Sequence, residues 1–185
     1  MTAGPGHNGG PTLQPGASWR RHCWGAARAA LLPHLPVEVV RLRVRRAREL
    51  GLDYQTYAGV RATTDHDIVA FLFSSNALRL IRPGDALPDD RRGKLAGITG
   101  CGRIALAQGR LAPDTVLRIT APLIDAAHPA PAALAPWAET RRTLRAALGQ
   151  LPGDRVLLVA DTALEAEWAT AARLAAALPA ARYFG

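Results

Sequence analysis

Lysine is nearly missing from this chain: Lys94 stands alone among 23 basic residues, and the rest are arginine. A high-GC, bacterial coding sequence replaces lysine with arginine, so the ratio itself carries little. Other scarcities exclude more. The three serines are Ser18, Ser74 and Ser75, and none sits in a G-x-S-x-G nucleophile elbow. Cys23 and Cys101 lie far apart with no C-x-x-C pair, which leaves no disulfide framework and no zinc ribbon. Aromatic residues make up 5% of the chain, too few for an aromatic-rich β-sandwich. No apolar run approaches the roughly 18 residues of a membrane span. The stretch 26–35 does not read as a signal peptide, because Arg28, Pro33 and His34 interrupt it. A cytoplasmic protein with reduced thiols and no membrane span is expected. A phosphate-binding Walker loop also fails, since Leu95 follows Gly93 and Lys94 where Ser or Thr is required. Gly4, Gly6 and Gly9 match G-x-G-x-x-G in form, but no strand precedes them. No cofactor and no metal is implied, and binding is favoured over catalysis.

What is abundant is alanine, 37 of 185 residues within a 49% apolar chain. Small side chains in that number favour helices packed closely on a modest sheet. Residues 1–17, rich in glycine and proline, read as a flexible tail. Within them GHNGGP resembles N-terminal tags on assorted bacterial proteins, several of phage or mobile-element origin. Helices are expected over 18–32, over 36–50 with proline in the first turn and Gly51 after the last, and over 54–62 behind an Asp53 cap. Strands are expected over 68–74 and 77–81 as a hairpin, and over 102–107 and 115–120. A proline-punctuated connection and a helix over 137–148 follow. DRVLLVAD then reads as a buried strand, and Thr162 with Glu165 has capping-box spacing at the head of an alanine-rich helix. ARYF is a candidate returning strand. The expected class is α/β (or α+β): a basic helical segment over 18–66, then a small mixed sheet with alanine-rich helices over 67–185.

Charge is uneven along the chain. The net charge is +8, and residues 1–110 carry all of it while 111–185 are neutral. A one-sided positive field argues for a polyanionic partner, whether DNA, RNA or an acidic protein. The densest run is RLRVRRAR, where Arg41, Arg43, Arg45, Arg46 and Arg48 fall within eight positions. On a helix, Arg41, Arg45 and Arg48 share one face, and Val37, Val40, Val44 and Ala47 form an apolar stripe on another. A guanidinium's planar fork suits phosphates and base edges. The plain alternative is a solvated or internally paired arginine face.

Ala47, Gly51, Tyr57 and Val60 follow the spacing that helix-turn-helix DNA-binding segments use, and the segment resembles them. The LGLDYQTY wording after an arginine-rich helix is also similar to the two-helix part of ribbon-helix-helix repressors. Tyr57 and Gly59 depart from the usual pattern. The resemblance implies a DNA-binding regulator. Arg20, Arg21, Arg41, Arg43, Arg45, Arg46 and Arg48 would then serve phosphates, with Gln55, Thr56 and Arg61 nearest the bases.

Two weaker constellations remain. His66-Asp67, with His22 or His34 and Asp125 or Asp161, has the donor types of a metal-dependent phosphohydrolase, but capping roles explain the aspartates as well. Asp161 would stand at the carboxyl end of an expected parallel strand, where open α/β sheets place ligands. Asp125 and His128 could join it in an α/β enzyme or ligand-binding protein. Trp137 and Trp168 read as packing residues, and an acidic protein docked on the arginine face is the third reading.

Overall fold

The computed structural model describes residues 35–185, of which 41–185 form one compact unit. The expected tail, the helix over 18–32, and with them Arg20, Arg21, His22, Cys23 and His34, lie outside the described residues.

The fold is α/β, with a five-stranded sheet that is parallel throughout. Two helices lead in, α1 (Val37–Glu49) and α2 (Tyr54–Thr64). Then follow β1 (Ala70–Ser74), α3 (Asp89–Ala96), β2 (Gly102–Ala107), α4 (Pro113–Thr120) and β3 (Ala126–Pro129). After α5 (Trp137–Leu148) come β4 (Val156–Ala160), α6 (Ala163–Ala172), β5 (Ala176–Pro179) and α7 (Ala180–Phe184). The spatial order is β3-β2-β1-β4-β5. The chain therefore builds outward from β1 on one side, returns, and builds outward on the other. The strand order reverses between β1 and β4, where sheets of this kind open a crevice at their carboxyl ends.

The central strands have no polar face because both faces are covered. AFLFS of β1 and VLLVA of β4 are buried at every position, as parallel strands between helical layers must be. Phe71, Phe73, Leu157 and Val159 face one core, shared with Ala47, Leu50, Tyr57 and Val60 from α1, α2 and the turn between them, and with Tyr183 of α7. Ala70, Leu72, Leu106 and Leu158 face the other, against Leu144 and Leu148 of α5 and Trp168 of α6. The hydrophobic cluster thus runs unbroken across position 66.

Four elements differ from the sequence reading. Residues 77–81 form no hairpin: they turn back over β1, with Leu78 N–H on the Ser74 carbonyl and Leu80 N–H on the Ser75 carbonyl. Ala77, Leu78 and Leu80 are fully buried, so their apolar signal is that of a core-facing turn, and the sheet gains no antiparallel pair. TVLRIT lies in α4, entered through Pro113, with Val116 and Thr120 one turn apart on the buried face. Its β-branched residues favour a strand, and packing overrides that weak preference. The proline-punctuated connection contains the edge strand β3. In the alanine-rich tail, α6 stops at Ala172 through Arg173 in the left-handed region (φ 56°), AALP forms β5, and ARYF belongs to α7. No described helix is long and apolar enough to cross a membrane.

Candidate functional site

The carboxyl edge of the sheet converges on one buried carboxylate. Glu165, at the third position of α6, is 3% exposed. Its position follows from the capping box: Thr162 Oγ1 accepts from Glu165 N–H at 3.2 Å, and Glu165 reaches back to the turn after β4. There Oε2 accepts from the backbone N–H of Asp161 at 2.7 Å and of Thr162 at 3.4 Å. The same oxygen accepts from Ser74 Oγ, at the end of β1, at 2.7 Å. Oε1 accepts from Asn76 Nδ2 at 2.6 Å and from Gln108 Nε2, just past β2, at 2.7 Å. Asn76 Nδ2 also donates to Gln108 Oε1 at 2.9 Å. Burial pushes the Glu165 carboxyl up, but the bonds from Gln108, Asp161, Ser74 and Asn76 outweigh it and hold the group below its ordinary value. Glu165 is therefore a buried anion, and no cation pairs with it among the described residues.

Above this network opens a cavity of about 700 Å³. Its floor includes Asn76, Gln108 and Glu165, and its walls include Thr140, Glu167 and Trp168. Leu134, Trp137 and Leu164 also line it, and all three are large apolar side chains exposed to solvent, Trp137 at 53% and Leu164 at 59%. A volume of this size, apolar at the rim with a few convergent polar groups below, has the form of a small-molecule site.

The arginine helix is put to a different use. Arg46 is an internal latch: Nε donates to Asp67 Oδ2 and Nη1 to Glu49 Oε2, both at 3.0 Å. Its Nη2 donates to the carbonyls of Ile68 at 3.0 Å and Gly100 at 2.9 Å, and Nη1 reaches the Thr99 carbonyl at 3.4 Å. One guanidinium thus ties α1 to the segments entering β1 and β2. Arg41, Arg45 and Arg48 are exposed and Arg43 is half-buried. On α2, Tyr57 is buried and donates its hydroxyl proton to Asp67 Oδ1 at 2.8 Å. Thr56 is held by the Asp53 cap and by Arg182 Nη2 at 2.7 Å. Arg61 is half-buried, with Nε lacking a hydrogen-bond partner among the described residues. Of the three expected base readers, Gln55 alone is exposed. Helix α5 does not cover the arginine helix, because its buried residues face the opposite core.

The three acid–base candidates do not converge. Asp161 follows β4 at the carboxyl edge, exposed, with Arg79 Nη1 3.5 Å from its Oδ2. Asp125 precedes β3 at the opposite edge, where it accepts from Arg103 N–H and Nη2, both at 2.7 Å. His128 lies on the edge strand, with β2 and β1 between it and β4. Asp67 is taken by Arg46 and Tyr57, and the described residues hold no cluster of three His, Cys, Asp or Glu that could bind a metal. Cys101 sits beside Arg46 and Gly102, and burial pushes its thiol up to about 12, which makes it a poor nucleophile at neutral pH.

Neither protein-family models, nor curated proteins, nor solved structures yield a match to this chain. The functional reading therefore rests on the site's own geometry. Sequence reading located the edge through Asp161 and missed its centre. Glu165 was visible only as a capping residue, and Asn76 and Gln108 not at all. The usable signal was a buried strand ending in Ser-Ser-Asn together with a capping-box glutamate after a second buried strand. Those two patterns meet wherever β1 and β4 are neighbours.

Proposed function

We propose that this protein binds a small molecule at the carboxyl edge of its sheet, in the cavity over Glu165. The observation that carries this reading is the coincidence of three features in one place. They are the strand-order reversal, a saturated buried carboxylate network, and a rim made of solvent-exposed Leu134, Trp137 and Leu164. Exposed apolar side chains gathered around a polar-floored cavity are costly unless something covers them. Ligand-observed NMR of the full chain against a fragment library tests the reading. Hits should be lost on Leu164→Arg, which places a charge in the mouth without disturbing the core. A library with no hits, or hits indifferent to that substitution, would remove the cavity as the site.

A second reading is favoured by the exposure of Arg45 and Arg48 on α1. Those side chains suit phosphates of DNA or RNA, in register with the helix-turn-helix resemblance, as backbone contacts and not base readout. Such binding would weaken steeply with salt. Titration with duplex DNA and structured RNA at low and moderate salt checks it, and no binding at low salt would end it.

A further inference from the structure

The turn after β4 at the head of α6 is where crevices of this topology usually receive an anion, because backbone N–H groups and the helix dipole point there. In this protein part of that place is filled from within. The N–H groups of Asp161 and Thr162 are spent on Glu165 Oε2, and that of Glu165 on Thr162 Oγ1. At the β1 end, Ser74 Oγ accepts from Ala77 N–H at 3.0 Å, so that turn is closed too. Glu167 adds a second carboxylate to the wall, and among the described residues the cavity lining contains no arginine, lysine or histidine. A phosphate entering would meet two acidic side chains and no basic one on that lining.

The floor offers something else. An ionised carboxylate only accepts, so both amide nitrogens must face Glu165, which fixes the orientation of Asn76 and Gln108. Asn76 Nδ2 spends both protons, on Gln108 and Glu165. Gln108 Nε2 spends one, on Glu165. Among the described residues the Asn76 carbonyl oxygen and the second N–H of Gln108 are left over, an acceptor and a donor on side chains that both line the cavity. The indoles of Trp137 and Trp168 stand on the same lining and supply flat apolar surface.

Taking the cavity as the binding site, we infer that its ligand is an uncharged or cationic planar heterocycle with a donor–acceptor edge, a nucleobase or its nucleoside, and that the phosphorylated form is rejected. The amide pair reads the edge, the indoles cover the ring, and the two carboxylates repel a phosphate.

Calorimetric titration of the full chain with adenosine, guanosine, cytidine, uridine, their 5′-monophosphates and inorganic phosphate tests this. At least one nucleoside should bind, and its monophosphate should bind about tenfold more weakly or worse. Glu167→Gln, an exposed change that leaves the core intact, should narrow that ratio by strengthening monophosphate binding, because one of the two repelling charges is gone. A monophosphate binding as tightly as its nucleoside, or inorganic phosphate competing with the nucleoside, would overturn the inference. If no nucleoside binds but library fragments do, and are lost on Leu164→Arg, the ligand class is wrong and the site stands. If neither binds, both fall.

Discussion

At the scale of single residues, two charged side chains do opposite things for the same reason. Arg46 is half-buried and Glu165 is almost wholly removed from solvent, and each survives there by using nearly every hydrogen-bonding position it has. Arg46 spends its fork on two carboxylates and three carbonyls. Burial alone would lower its pKa, and the Glu49 and Asp67 carboxylates hold it above the ordinary value. Such a residue cannot also hold a phosphate. Arg46→Ala should cost about 2–3 kcal/mol in urea denaturation, because charge-assisted bonds are lost and Asp67 is left with one partner fewer. Arg45→Ala, on the exposed side of the same helix, should stay within about 0.5 kcal/mol of the parent. Equal effects from the two substitutions would mean that the latch does not form.

At the scale of elements, the turn between α1 and α2 was the most legible feature of the chain. Gly51 N–H bonds to the Arg48 carbonyl and Leu52 N–H to the Ala47 carbonyl, the paired closure of a helix that ends on a left-handed residue. Gly51 has φ +65°, and a Cβ there would come within 3.2 Å of Lys94 Cε. Gly51→Ala should therefore lose about 1–2 kcal/mol from backbone strain, read as a lower urea midpoint with an unchanged slope. An unchanged midpoint would show that the turn relaxes freely. The two helices and the turn that joins them were thus readable from Ala47, Gly51, Asp53 and Val60, since caps and apolar spacing are local. Their surface chemistry was not, because Tyr57 and Thr56 are engaged by Asp67 and Arg182, residues that only the fold brings near. The same division explains the misread strands. Ala77, Leu78 and Leu80 are apolar because a turn is buried, and AALP is a strand despite helix-favouring alanines because β4 offers it an edge. Local pattern reports burial well, and it reports the partner that buries a residue poorly.

At the scale of the whole molecule, the parallel sheet pairs its surface charges at both edges and keeps one carboxylate apart. The amino edge carries Arg46 with Asp67 and Arg103 with Asp125, and the carboxyl edge carries Arg79 beside Asp161. Glu165, buried at the carboxyl edge, is matched to neutral donors alone among the described residues. Asp125 and Glu165 are both held below the ordinary carboxyl value, by different partners. For Asp125 the Arg103 bonds outweigh burial, and for Glu165 the amide, hydroxyl and backbone bonds do. The sign of the linkage follows. A carboxyl whose folded pKa lies below its unfolded value stabilises the fold above the unfolded value, near 4.5 for Glu165, and that stability drains away as pH falls through the folded pKa. Unfolding free energy measured in urea should therefore fall as the solution is taken from pH 5 towards about pH 2, at up to about 1.4 kcal/mol per pH unit for each proton taken up. Glu165→Gln removes one of these groups while its amide can still be met by a rotated Asn76 or Gln108. The variant should be less stable than the parent at neutral pH, and its acid limb should be shallower. Parallel acid limbs would mean that Glu165 titrates alike in the folded and unfolded chain, and the buried anion beneath the cavity would have to be given up.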